Sequence, residues 1–340
     1  MNLRIKRRRF GQLALASAAT TAIANFAAKA VAQQPQLIIY GVSLTPASRS
    51  LTADLVDAEA ANTTPGMVLE SLDLATSQSL LASENSTTSQ RLPTSELSAV
   101  TVDNKQDFTE SVNQALVIKK PSERITGFTV KSDGTFAIAA VAASKKGDFS
   151  RLILTKDGKN GKNTKGVKIK KVKKDSTIES LLATQKDQFL SIVSLNQGVP
   201  PFELAVIDPK SGKVDSGDEL GLPELPFNQR FSNLAQSPDG TIYATTLGVE
   251  GITILVQLDL VNRSIVTGRG KIINLVQLSY KNKPLGNDLA SLAFSQSNQL
   301  FALADPNNEG TNSLFTLDMK TGVLTLLRQF AVDKIAFSPV

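Results

Sequence analysis

The chain has 340 residues, 37 lysines and arginines against 31 aspartates and glutamates, and no cysteine, histidine or tryptophan. The missing residue types exclude a Ser-His-Asp triad, a thiolate nucleophile, an iron–sulfur cluster and disulfides, so zinc, copper and haem sites are not expected. Carboxylate chemistry and oxygen-bound Ca²⁺ or Mg²⁺ stay open.

Residues 1–32 have the three parts of a cleavable export signal. A basic stretch ending at Arg9 is followed by a weakly apolar, Ala-rich run over 13–28, and then by Ala30 and Ala32, at the positions that signal peptidase inspects. The apolar run is shorter than the roughly 20 residues of a membrane span, which favours cleavage over anchoring. The mature chain is then 33–340.

The run from Arg7 and Arg8 to Phe10 resembles the twin-arginine (Tat) export signal, although Lys6 replaces the usual Ser or Thr. The resemblance implies export of the folded protein to a bacterial-type periplasm or a thylakoid lumen. Residues 1–32 hold six basic and no acidic residues, which leaves 31 of each sign in the mature chain. The basic excess therefore belongs to the signal, and no nucleic-acid partner is expected.

The mature chain contains a repeat of about fifty residues. Each unit has an apolar strand, a tight turn of Asp-Gly, Lys-Asp or Ser-Asn type and another apolar strand, which is a strong hairpin signal. The first strands carry anchor residues spaced by 53, 53 and 58 positions, namely Phe128, Leu181, Leu234 and Leu292. A second turn follows each anchor by 25 to 29 residues and is marked by Asp157, Asp208, Asp259 and Asp318.

Four short strands and two tight turns per unit resemble a β-propeller blade of the NHL, YVTN and lactonase type. We therefore predict an all-β fold, a single propeller over 33–340 with four antiparallel strands in each blade. Counting from Ile335 to the C-terminus and then from Gln33 to Phe128 gives about one hundred residues, which is enough for two units. Together with the four aligned units, this predicts six blades. Seven are predicted if 78–125 is irregular, and the Ser- and Thr-rich segment 74–114 is interpreted as loops or a lid.

The two chain ends are predicted to share one blade. Lys334–Pro339 repeats the beginning of a unit, and Gln36–Tyr40 resembles the second strand of a unit. Pairing them, with the C-terminal strand innermost, would close the ring and remove exposed strand edges.

The segment 156–174 holds nine lysines and one acidic residue. It is a candidate anion-binding patch for an anionic surface, and the alternative is a solvated outer strand in which lysines prevent edge pairing. The patch residues are Lys165, Lys168, Lys170, Lys171, Lys173 and Lys174.

Other candidate sites are weaker. Asp305, Asn307 and Glu309 offer oxygen ligands for Ca²⁺, or form a plain turn. Five arginines would line an anion-binding mouth, or are scattered on the surface; they are Arg49, Arg91, Arg124, Arg230 and Arg263. No catalytic residue is identified, because a propeller site draws single residues from many blades.

Two functions stay open. The first is an exported, monomeric, non-catalytic propeller that acts as a binding or scaffold module for a protein or a small ligand, without a cofactor. The alternative is a divalent-metal-dependent hydrolase, lactonase-like or phytase-like, with carboxylates at the channel mouth and Ca²⁺ as the candidate ion. A structural or redox-related subunit is a third possibility.

Overall fold

The computed structural model describes residues 38–44, 67–73, 123–143, 147–156, 167–169, 175–184, 188–248 and 250–337. The predicted export signal, with Arg7, Arg8, Phe10, Ala30 and Ala32, lies outside these ranges, as does the segment 74–114. No helix within the described ranges is long and apolar enough to cross a membrane.

Four sheets of four or more strands follow one another along the chain. The first has the order β3 (Glu123–Val130), β4 (Thr135–Ala142), β5 (Phe149–Lys156), β6 (Val167–Lys168). The second has the order β7 (Thr177–Ala183), β8 (Phe189–Asn196), β9 (Val199–Ile207), β10 (Val214–Ser216). A short helix, α1 (Gly217–Leu220), follows it.

The third sheet has the order β11 (Arg230–Gln236), β12 (Ile242–Leu247), β13 (Thr253–Asp259), β14 (Lys271–Gln277). The fourth contains β17 (Ser291–Phe294), β18 (Leu300–Ala304), β19 (Ser313–Leu317) and β20 (Val323–Gln329). The short strands β15 (Ser279–Tyr280) and β16 (Lys283–Pro284) extend its outer edge.

The predicted tight turns are confirmed where the structure describes them; the Lys-Asp turn at Lys186 and Asp187 lies outside the described residues. In the Asp-Gly turns, Gly134 and Gly240 have φ of 77° and 90°, and Asn298 has φ of 62° at the equivalent place in the fourth sheet. Gly and Asn tolerate this left-handed region better than other residues. Asp208, Asp259 and Asp318 each accept backbone N–H bonds within their own turns. Asp157 lies outside the described residues.

A fifth sheet joins the two ends of the described chain, in the order β21 (Lys334–Phe337), β1 (Ile38–Leu44), β2 (Met67–Asp73). Both pairings are antiparallel, with Tyr40 opposite Ala336 and Tyr40 also opposite Ser71. The predicted pairing of N-terminal and C-terminal strands, with the C-terminal strand innermost, is confirmed.

Among the described residues, five apolar clusters lie between neighbouring sheets. Three of them are assembled within the run from β3 to β20. The fourth packs Ile39 and Ile335 against Phe301 of β18, and the fifth packs Val42 and Ala336 against residues such as Phe128 of β3. The fold is therefore an all-β propeller arrangement, in which the sheets pack face to face around a ring.

The predicted count of six blades, or seven, is not what the described strands form. They form four complete blades and the three-stranded joining sheet, and β21 lies directly beside both β3 and β17. The prediction assumed that about one hundred residues between the C-terminal strand and Phe128 supply two units. The direct contact of β21 with β3 leaves no place for a further sheet between them.

Inner strands are joined across the ring by short polar side chains. The N–H of Leu234 donates to Ser180 Oγ at 2.8 Å, and the N–H of Ile335 donates to Ser291 Oγ at 3.1 Å. A Cβ on Gly127 would lie 2.8 Å from the nitrogen of Leu181, so this position requires glycine. At these three places an N–H of one inner strand, that of Leu181, Leu234 or Ile335, faces the residue that precedes the anchor of the neighbouring sheet.

Candidate functional site

The first residues of the inner strands bring ionised side chains to one end of the central channel. We call this end the charged mouth and define it by Arg124, Glu179, Arg230, Asp288 and Lys334. All five come from different inner strands or from the segment just before one. Propeller geometry brings them together although up to 210 residues separate them in the chain.

Arg124 and Glu179 form a bidentate ion pair between two sheets. Both terminal nitrogens of Arg124 donate to the Glu179 carboxylate at 2.7 Å, and Thr177 Oγ1 donates to the same carboxylate. The Glu179 side chain is only 4% exposed, whereas that of Arg124 is 44% exposed. Burial opposes the charge on Arg124, but its hydrogen bonds and charge attraction to Glu179 outweigh burial and raise the pKa of Arg124.

The bulged path of β7 places Glu179 at the mouth. Its pairing with β8 shifts register between Ile178 and Ser180, so that Glu179 is left out of the ladder. Bulges re-aim a side chain in this way. An equivalent shift occurs in β3 between Ile125 and Gly127. The bulge therefore belongs to the repeated blade design, and only the residue that occupies it differs.

Arg230 and Asp288 form a second ion pair between neighbouring sheets. Arg230 Nε donates to Asp288 Oδ2 at 2.8 Å, and Ser232 Oγ donates to Oδ1 at 2.7 Å. The Asp288 side chain is 19% exposed and that of Arg230 is 43% exposed. Asn233, with φ of 57°, donates to the carbonyl of Leu289 at 2.7 Å and fixes the segment that carries Asp288.

The turn between β8 and β9 lies between the two arginines. Gly198 has φ of 89°, and its carbonyl accepts a hydrogen bond from Arg230 Nη1 at 3.5 Å. A Cβ at this position would lie 3.0 Å from Arg124 Nη2. Both guanidinium groups therefore flank one glycine and share one patch of the mouth.

Lys334 adds a third cation to the mouth. Its ammonium donates to the carbonyl of Ala290. Burial by the surrounding strands lowers the pKa of Lys334 to about 8, an effect that Arg230 adds to and that Asp288 and Glu179 oppose. The residue as a whole keeps partial exposure.

The opposite end of the channel is lined mostly by residues with apolar side chains. We call it the apolar end, a cavity of about 250 Å³ lined by the last residues of β3, β7, β11, β17 and β21. Its lining residues other than Thr129 and Gln236 are apolar. A separate groove of about 610 Å³ lies between the second sheet and the segment that follows it, where Arg269 is paired with Asp218 at 2.8 Å.

The predicted arginine mouth is brought together only in part. Arg124 and Arg230 lie at the charged mouth. Arg263 lies in the loop between β13 and β14 and donates to the carbonyl of Leu220 in α1. Arg49 and Arg91 lie outside the described residues.

The other predicted sites are placed as follows. Asp305 caps its own turn by accepting from the N–H groups of Glu309 and Gly310, and Asn307 donates to Glu309. In the described ranges no three acidic side chains are grouped to hold a metal ion. Lys168 lies in β6, the predicted outer strand. Five lysines of the patch lie outside the description: Lys165, Lys170, Lys171, Lys173 and Lys174.

Sequence reasoning missed Glu179, Asp288 and Lys334. A signal was present: Arg124 and Arg230 both stand four residues before their anchors, as does Asp288 before Leu292. Positions equivalent in the repeat lie at the same end of the ring, so that charges there must converge.

No protein-family model and no curated protein matches the chain. Similar solved structures include a protein of unknown function from Dyadobacter fermentans, 9% identical, with a TM-score of 0.46 over 87% of this chain and 84% of that one. Virginiamycin B lyase from Staphylococcus aureus is 16% identical, with a TM-score of 0.34 over 59% of this chain and 54% of the lyase. A streptogramin B lyase is 14% identical, with a TM-score of 0.35 over 59% of this chain and 53% of that one. This remote similarity concerns the propeller fold alone.

Proposed function

We propose that this protein is an exported, non-catalytic propeller that binds a small ligand at the charged mouth. One observation carries the proposal: charged side chains from four inner strands and from the segment before the fifth converge on one opening of the channel. Ligand sites are concave and combine a few convergent polar groups with a rigid frame. The ring of packed sheets supplies that frame.

The guanidinium groups at the mouth remain accessible although they are paired. The side chains of Arg124 and Arg230 are 44% and 43% exposed, whereas their partner carboxylates, Glu179 and Asp288, are 4% and 19% exposed. The less exposed carboxylates thus hold the arginines in place, while much of each arginine side chain stays accessible to a ligand. A ligand would meet oriented donors with little loss of side-chain entropy on binding.

A metal-dependent hydrolase of lactonase-like or phytase-like type has less support. Glu179 and Asp288 are each occupied by an arginine, and a divalent cation would have to displace that arginine to bind. The binding function needs no such rearrangement.

The proposed binding site is tested by thermal unfolding of residues 33–340 against a library of carboxylates, phosphates, sugars, amines and short peptides, with Ca²⁺ and EDTA as separate arms. We expect at least one class to raise the Tm of the parent and not of Arg230→Gln. Arg263→Gln, which removes an arginine far from the mouth, is the matched control and keeps the shift. A library without any hit, or hits equal in all three proteins, would contradict the proposal.

Export is a separate part of the proposal and rests on the N-terminal basic and Ala-rich segments. Fractionation of expressing cells, followed by mass determination, should find a protein beginning near Gln33 outside the cytoplasm. Replacing both Arg7 and Arg8 by lysine should retain the full-length precursor inside the cell. An unprocessed parent protein in the cytoplasm would contradict this part.

A further inference from the structure

Lys334 departs from a pattern that the other inner strands share. The residue that precedes the anchor is uncharged in the first four blades, as Gly127, Ser180, Asn233 and Ser291 show. These residues serve the ring itself: Ser180 and Ser291 accept from a backbone N–H of the neighbouring strand, Gly127 admits that strand's backbone, and Asn233 donates to a carbonyl of the neighbouring blade. In β21 the same place carries a lysine, whose long side chain is not needed for that contact.

The other charges of the mouth are matched and that of Lys334 is not. Arg124 is paired with Glu179 and Arg230 with Asp288, both across sheet boundaries. Within the described part of the chain, no carboxylate oxygen lies within 4 Å of the Lys334 ammonium, which donates to one carbonyl. A lysine ammonium has three donors, so this group has capacity for a further acceptor.

Arg230 has spare capacity beside it. Its Nε is bound to Asp288 and its Nη1 to the Gly198 carbonyl, while its Nη2 has no partner among the residues described. The charges that act on Lys334 come from Asp288 before β17, Glu179 in β7, Arg230 in β11 and its own neighbour Asp333. Two cations with unused donors thus share one confined opening.

We propose that Lys334 and Arg230 together bind an oxyanion, a carboxylate or phosphate group of the ligand, at the charged mouth. The inference rests on the proposed function and names the ligand's chemistry. An oxyanion would give Lys334 the directly bound anionic oxygen that no described residue supplies and would accept from both cations, and such charge-assisted hydrogen bonds are the stronger ones. Lys334 is then a ligand-binding residue at a position whose counterparts in the other blades maintain the ring.

The test is calorimetric titration with inorganic phosphate and, separately, with citrate, at an ionic strength held constant with sodium chloride. We expect Lys334→Ser to bind about 10- to 100-fold more weakly than the parent, the loss that one charged hydrogen bond produces. Arg263→Gln should bind as the parent does. The two probes separate the sources, since a phosphate site prefers the first and a carboxylate site the second.

Lys334→Ser introduces the residue that two other blades carry at this position, where its hydroxyl accepts a neighbouring strand's N–H. Should this variant fail to fold, Arg230→Gln provides the second measurement, and Lys334→Arg should keep most of the affinity because it keeps the charge. Citrate affinity of the parent should also fall as the pH rises above about 8, where the ammonium loses its proton, and this pH dependence should vanish in Lys334→Ser.

Equal affinity in the parent and Lys334→Ser, or no binding of either probe by the parent, would overturn the inference. The outcomes that would contradict the proposed function differ from those that would overturn this inference. If a neutral or cationic member of the library binds and is lost in Arg230→Gln, the mouth is a binding site for another chemistry. If no class binds, the binding function itself is wrong.

Discussion

The two ends of the central channel are built by the same five strands and differ in almost every chemical respect. At the apolar end, equivalent positions two residues after each anchor carry Val130, Ala183, Gln236, Phe294 and Phe337. At the charged mouth, equivalent positions carry residues of different charge. The repeat therefore accounts for the apolar end and for the frame of the mouth, whereas the mouth's chemistry is specific to individual blades.

The largest expected effect comes from opening the ring. Deleting 333–340 removes β21, exposes the edges of β1 and the apolar faces of β3 and β17, and should abolish cooperative unfolding. Calorimetry checks this, and deletion of 338–340 alone is the control, since β21 ends at Phe337. A deletion variant that unfolds at nearly the parent's Tm would show that both channel ends persist without closure.

The apolar end should matter for stability and not for binding. Phe294 is 8% exposed and packs in the cluster between the third and fourth sheets, so Phe294→Ala should lower the free energy of unfolding by about 3 to 5 kcal/mol. Citrate affinity should be unchanged in the folded variant. Denaturant unfolding and calorimetric titration measure the two quantities, and a parallel loss of affinity would break the distinction between the ends.

At the charged mouth, loss of Lys334 should weaken binding and raise stability, the reverse of what is expected at the apolar end. Because the pKa of Lys334 falls from 10.5 to about 8 on folding, the unfolded chain binds more protons between these values. The stability contribution of this group therefore rises with pH across that window, and below it the charged lysine costs up to about 3 kcal/mol.

Lys334→Ser should accordingly be more stable than the parent near neutral pH and should lose this rise with pH. Denaturant unfolding between neutral pH and pH 10.5 measures both effects, with the exposed Lys283→Ser as the control. A less stable Lys334→Ser with the parent's pH dependence would assign Lys334 a structural role.

The sequence contains the blade pattern in local form, which is why the hairpins, the turns and the joining of the ends are predictable. The Asp-Gly turns and the alternation of apolar residues are short-range signals. The blade count fails because length alone does not show whether residues before Glu123 add a sheet or only strands β1 and β2. The ion pairs of the mouth join residues 55 and 58 positions apart, and only the ring geometry makes them neighbours.

The bulge in β7 likewise carries a residue whose place at the mouth the sequence does not indicate. In β7 it carries Glu179, and in β3 the equivalent shift carries Thr126, which donates to the carbonyl of Ala139. The alternation of strand residues does not indicate which side chain such a bulge directs to the mouth. Lys334 is visible in sequence as the charged member of an otherwise uncharged set, but its significance depends on the burial that closure of the ring produces.

The most direct test of the binding site is an NMR titration of isotope-labelled residues 33–340 with citrate and with phosphate. We expect backbone amide shifts to change at the beginnings of β3, β7, β11 and β21, near Asp288, and at the turn containing Gly198. The amides lining the apolar end should not move. Changes centred on the apolar end or on the groove beside Arg269, or the absence of any change, would contradict a binding site at the charged mouth.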